Sequence, residues 1–182
     1  MAHTLPTPLP VRATRRGALP PIERLEGTHH RMMLTLQDLE TLVRRLETEG
    51  VDETAQTLAG GIHRFFEEVG RTHHDEEERH IFPVLLASGD ALLAEQVAQL
   101  RQDHGWIEQN WRELSPLLDA LSQGHTWVDV DLLRAMIEVF TQLHHEHIAL
   151  EESMVYPEAR RREAEARTQT AQRRAHWAQE AA

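Results

Sequence analysis

From Pro21 onward apolar residues return every three or four positions and alternating β-branched runs are scarce, a pattern that predicts helix along most of the chain. The first stripe runs Ile22, Leu25, His29, Met32, Met33, Leu36, Leu39, Val43 and Leu46, opened by Pro21 and stopped by Gly50. A second helix is expected after Asp52, a candidate N-cap, with the stripe Leu58, Ile62, Phe65, Phe66, Val69, His73, Glu77 and Ile81 and a bend or end at Pro83. Ser88-Gly89-Asp90 reads as a turn. The third stripe is Leu93, Val97, Leu100, His104, Ile107, Trp111, Leu114, Leu118 and Leu121, with a bend expected at Pro116 and an end at Gly124. The fourth begins near Asp129 or Asp131 and runs Leu133, Ile137, Phe140, Leu143, His144, His147, Glu151, Met154 and Val155, with Pro157 as its bend or end. Four amphipathic helices with short connections predict an all-α fold, an antiparallel up-down-up-down four-helix bundle over residues 21–158. Residues 1–20 read as a flexible arm. The Ala-, Glu-, Arg- and Gln-rich residues 159–182 read as a charged C-terminal helical extension.

Histidine and glutamate sit on stripes that should be apolar, and they do so twice. HHDEEERHIFP, from His73, aligns at an offset of 74 with HIALEESMVYP, from His147. LEGTHHRMMLTLQDLETL, from Leu25, aligns at an offset of 75 with LRQDHGWIEQNWRELSPL, from Leu100, pairing His29 with His104. Each half is thus one helix with a histidine on its stripe, followed by one carrying His-x-x-x-Glu. A solvated charged face has no reason to keep that arrangement twice.

A metal gives a reason. Residues four apart lie about 40° apart around a helix and one turn apart along it, so His73 with Glu77, and His147 with Glu151, can each reach one ion. Burying these groups without partners would cost several kcal/mol each, roughly, and a cation removes that cost. Imidazole nitrogen with carboxylate oxygen suits iron, manganese or zinc, and four histidines with two carboxylates able to bridge favour a dinuclear site. Periodicity prefers His29 over His30, whose +7 and +10 positions are Gln37 and Glu40, and His73 over His74.

This ordered set, H…HxxxE…H…HxxxE with Phe-Pro and Tyr-Pro endings, resembles the hemerythrin-like (HHE cation-binding) family over residues 21–158. The resemblance implies two non-haem iron ions, oxo- or hydroxo-bridged, inside the bundle, where dioxygen, nitric oxide or hydrogen peroxide binds or reacts. Carried over, the ligands are His29, His73, Glu77, His104, His147 and Glu151, with the two glutamates as bridges. Oxygen-carrying members have a further histidine one turn beyond the one on the third helix. Here that position is Glu108, either a carboxylate ligand or a sign that solvent completes the second iron. The spacing from His147 to Glu152 also matches the carriers' bridging carboxylate, so Glu152 is an alternative to Glu151. His144 is a further candidate, as a ligand or as a hydrogen-bond partner to one, and His74, expected to face outward, is a lesser candidate for either role.

Composition narrows the alternatives. A formal charge of −11 argues against a nucleic-acid partner. The absence of cysteine excludes disulfides, thiolate zinc sites and cysteine-ligated clusters, and it counts against the iron-repair members of the wider family, which carry a cysteine-bearing segment. No apolar run is long enough for a membrane span, and the N-terminal residues carry no apolar secretory core, so a cytoplasmic monomer or homodimer is expected. Glu-x-x-His pairs like those of ferritin-type bundles occur at Glu26 and Glu77 but do not recur in the second half, and His-Glu-x-x-His is absent. Two rival readings stay open beside the ligand-binding one. The first is an enzyme that disproportionates peroxide or reduces oxygen or nitric oxide. The second is a sensor that signals through the arginine-rich C-terminal segment.

Overall fold

Four helical rods, with no strand among the described residues, make up the computed structural model, which describes residues 22–180. The arm expected over residues 1–20 lies outside the described residues. Rod α1 is Ile22–Thr48. Rod α2 is a continuous helical run over 53–86, in which the α-helical segments Glu53–Phe65, Arg71–Glu76 and Phe82–Leu86 are joined by π-helical turns at Phe66–Gly70 and Glu77–Ile81. Rod α3 is Ala91–Ser122. Rod α4 runs over 130–180, its segments Val130–Leu150 and Tyr156–Glu180 joined by a π turn at Glu151–Val155.

Local chemistry sets the rod ends. Asp52 accepts from the Ala55 amide at 2.8 Å, and Asp90 accepts from those of Leu92 and Leu93, so each satisfies amide groups that a first helical turn leaves unpaired. Of the two starts expected for α4, Asp129 is the cap, accepting from Asp131 and Leu132. Gly50, Gly89 and Gly124 adopt φ of +73°, +73° and +82°, which a side chain would strain.

None of the three prolines expected to bend or end a helix stops its rod. Pro116 is an exposed residue inside α3, where water can serve the carbonyl it leaves unpaired. Pro83 and Pro157 each follow a π turn, in which the Phe82 amide bonds to Glu77 O and the Tyr156 amide to Glu151 O. The wider turn keeps the proline ring clear of the preceding carbonyls, so α2 continues to Leu86 and α4 to Glu180.

Each rod packs against its neighbours in sequence, and α4 packs against α1. The apolar stripes form two core clusters. One joins Leu46 of α1, Ala55 of α2, Leu121 of α3 and Leu133 of α4, and runs inward through Met32, Phe66, Ile107 and Phe140. The other joins Ile22 and Leu25, Phe82 and Leu85, Val97 and Leu100, and Val155 and Tyr156. Along every rod the histidines and glutamates of the repeat fall between the two clusters. From 164 to 179 α4 is exposed, its charge balanced in part by one-turn pairs such as Arg161–Glu165 and Arg167–Glu163.

Candidate metal centre

Two of the three π turns start at Glu77 and Glu151, so the last ordinary helical turn before each begins at His73 or His147 and delivers His and Glu together. Glu77 and Glu151 have no exposed surface, and His29, His73, His74, His104 and His147 are all buried. Two sets of donor atoms, each able to hold one cation, result: His29, His73, Glu77 and Glu151, and Glu77, His104, His147 and Glu151. His74 forms a third group with His104 and His147.

The glutamates belong to both sets. Glu77 Oε1 lies 3.1 Å from His73 Nε2, and its Oε2 lies 3.5 Å from His104 Nε2. Glu151 Oε2 lies 3.1 Å from His29 Nε2 and 3.3 Å from His147 Nε2. These atoms are close without satisfying one another. Both Glu151 oxygens, Glu77 Oε2, the Nε2 atoms of His104 and His147, and both ring nitrogens of His74 are buried with no hydrogen-bond partner. His29 Nε2 and His73 Nε2 approach to 2.8 Å. Groups that converge while leaving their lone pairs unused suit a common cation, since buried polar atoms are otherwise almost always paired. The donor set therefore fits two ions sharing two carboxylates.

The outer ring nitrogens are held by a second pair of glutamates. His29 Nδ1 lies 3.1 Å from Glu152 Oε1, and His104 Nδ1 lies 2.8 Å from Glu78 Oε1. In each Glu-Glu pair the first residue is buried at the centre, and the second, half-exposed, fixes the imidazole of a histidine from the other half of the repeat. A donated Nδ1–H leaves Nε2 as the free lone pair, the form a metal needs. Tyr156, with no exposed surface, places its hydroxyl 3.2 Å from His29 Nε2 and donates it to Glu77 Oε1.

The buried groups shift one another's ionisation. Burial, followed by the charge of Glu77, pushes the Glu151 carboxyl well above the usual range. Burial would raise Glu77 as well, but His73 and His104 outweigh it and hold that carboxyl well below. Two bare carboxylates at this distance oppose each other's ionisation, so the environment favours the proton on Glu151 and the charge on Glu77. Burial lowers His74 and His147 strongly, each helped by His104, and lowers His29, helped by His73. Burial opposes charge on His104 too, yet Glu77 and Glu78 raise it. Burial also pushes the Tyr156 phenol up, reinforced by Glu151 and Glu77.

A family profile described as the hemerythrin HHE cation binding domain matches residues 20–159. The chain belongs to that family. An uncharacterized protein of Haemophilus influenzae (strain ATCC 51907 / DSM 11121 / KW20 / Rd) is 30% identical over 134 residues, covering 74% of this chain and 76% of its own. No solved structure matches the chain. Among the described residues no helix is long and apolar enough to cross a membrane.

Within this HHE domain the six residues singled out from spacing are brought into one buried cluster. The others fall differently. His74 is not outward-facing: it is buried, its ring stacked on that of His104 with centroids 4.0 Å apart. Rod α2 touches both α1 and α3, so its buried arc is wide enough for His73 to meet His29 and His74 to meet His104. Ile148, the counterpart of His74 in the second half, is apolar, and that was the available signal. Glu108 lies outside the cluster, partly exposed, 3.5 Å from Arg112. Glu152 is on the outer nitrogen of His29, whereas Glu151 is central. His144 is fully buried outside the donor groups, donating Nδ1–H to Phe140 O at 2.9 Å, and burial lowers it to about 4. Tyr156, read only as part of a helix ending, was missed.

Proposed function

We propose that this HHE domain is a non-haem di-iron protein, an antiparallel up-down-up-down bundle, that binds or reacts with a small ligand: dioxygen, nitric oxide or hydrogen peroxide. The single observation that supports it best is the sharing of Glu77 and Glu151 between two histidine sets. His29 and His73 would hold one ion and His74, His104 and His147 the other, with both glutamates bridging. Two iron ions held this way would supply the capacity for a two-electron exchange with a small molecule. The chain's own residues set the conditions. Glu78 and Glu152 orient the imidazoles that carry the lone pairs, and the two apolar clusters on either side keep bulk water from the centre. A cavity of about 220 Å³, lined by Phe66, Trp111, Phe140, His144 and His74 and flanked by Arg71 and Glu108, offers a small molecule an approach on the His74 side.

That cavity also supports an enzymatic reading, turnover of peroxide, since a substrate must enter and its products leave. A solvent-held position on the second ion, one of the two expectations raised by Glu108, is less favoured, because His74 would complete that ion beside His104 and His147. Metal content and the visible spectrum of aerobically purified protein test the proposal. Two irons per chain with absorption from an oxygen-bridged pair are expected, and protein without iron and without that absorption would sink it. Anaerobic reduction followed by titration with each small ligand separates binding from turnover, and Glu77→Gln should abolish either response.

A further inference from the structure

The two halves of the centre differ at two positions of the repeat, and the differences offset each other. His74 corresponds to Ile148, and Phe82 corresponds to Tyr156. On one side, the ring of Phe82 stacks on His104, with centroids 5.7 Å apart and planes at 14°, while His74 adds an imidazole. On the other, the ring of Tyr156 stacks on His29 at 5.3 Å and 9°, while Ile148 adds nothing polar. The two aromatic rings do the same packing, so the Tyr156 hydroxyl is the feature that packing does not explain. It sits in a site without exposed surface, among donor atoms and against two of them, 3.2 Å from His29 Nε2 and hydrogen-bonded to Glu77 Oε1.

We propose that Tyr156 is a metal ligand, its phenolate oxygen completing the His29/His73 position as His74 completes the His104/His147 position. Six-coordinate ions with bonds of about 2.1 Å keep neighbouring donors about 3 Å apart. Four separations around this position match that edge, His29 to His73 at 2.8 Å, His29 to Glu151 at 3.1 Å, His73 to Glu77 at 3.1 Å and His29 to the Tyr156 oxygen at 3.2 Å, while the Tyr156–Glu77 hydrogen bond is shorter. On binding, the phenol O–H bond breaks and its proton leaves to water. The oxygen lone pair forms the metal bond, and no electron changes hands. Each ion then has five protein ligands, three histidines and two carboxylates on one side, two histidines, two carboxylates and a phenolate on the other. The added negative oxygen makes the Tyr156 side the better seat for a trivalent ion.

The inference rests on the di-iron reading above, and the chain makes the two separable because it contains one tyrosine, so any tyrosinate signal comes from Tyr156. The test is iron loading of the full chain with a metal count, a visible spectrum and resonance Raman excited in the visible band. A phenolate-to-iron(III) charge-transfer band with enhanced tyrosinate ring modes is the expected result. Tyr156→Phe should retain helicity, as Phe82 shows that a phenylalanine fits the repeat, and should lose the band and the modes. Titration of wild type with gallium(III), a colourless trivalent ion, should ionise one tyrosine per chain in the near ultraviolet, a measurement that needs no variant. Two bound irons without tyrosinate modes, or identical spectra for wild type and variant, would overturn the ligand assignment alone. A chain that takes up no metal overturns it together with the di-iron reading.

Discussion

His144 offers a measurement of how the core around the centre depends on pH. Its ring is enclosed by Phe66 and Phe140, with centroids at 5.4 and 4.3 Å, and that burial holds it neutral even though its Nδ1–H bond to Phe140 O favours the charged form. Burial lowers it from 6.5 to about 4. Between those values the unfolded chain binds a proton there that the folded chain does not. Stability from this group is therefore fully present above about pH 6.5 and drains away as pH falls toward 4. At about 1.4 kcal/mol per pH unit the whole effect is roughly 3 kcal/mol, of which about 2 kcal/mol is lost between pH 7 and pH 5. His144→Phe removes the titration and keeps a ring in an aromatic cage. Urea unfolding of chelator-stripped wild type and variant at both pH values checks it. The other buried histidines act in both proteins, so the difference between the two pH slopes isolates His144. That difference should be about 2 kcal/mol, a midpoint displacement of roughly 1 M urea. Parallel slopes would refute the argument, because they would mean that the ring is charged in the folded state or still neutral at pH 5 in the unfolded one.

Three further outcomes follow from the same geometry. Glu78→Gln and Glu152→Gln, each loosening one imidazole, should weaken metal binding by about 10–100-fold without unfolding the chain, read by competition with a coloured chelator. His74→Ile, which copies Ile148 into the first half, should stabilise the metal-free protein by about 1–3 kcal/mol, because both its nitrogens are buried and unpaired, while lowering affinity for one of two ions. Calorimetric denaturation and a metal titration on the same sample would show whether the two effects oppose each other. Loading a divalent ion at pH 6 should release protons, since Glu151, held well above the usual carboxyl range, must give one up, and affinity should climb with pH until that group is ionised. Equal binding heats in buffers of different ionisation enthalpy would contradict this.

How much of the centre could be read before folding depends on which physical rule places each residue. His29, His73, Glu77, His104, His147 and Glu151 were legible because one helical stripe and a duplicated spacing place them, and both are properties of a single helix. His74 was not, because an amphipathic stripe assumes one buried direction, whereas α2 is buried against two neighbours and presents adjacent histidines to different rods. Glu78 reads as the border of an acidic run and Glu152 as an alternative bridge, because spacing along one helix does not reveal their partners, the outer nitrogens of His104 and His29, far away in sequence. Pro83 and Pro157 read as bends or endings because proline interrupts an α-helix, yet a π turn before each lets the rod continue, with a buried glutamate at the start of that turn. Even so, the alignment of the two halves already held the information that a single stripe lacks. An apolar Ile148 opposite His74 marks that position as inward, and a hydroxyl on Tyr156 opposite the bare ring of Phe82 marks the other departure. Each half has exchanged one polar group for one apolar group at a different position, and the centre they share gains a nitrogen on one side and an oxygen on the other.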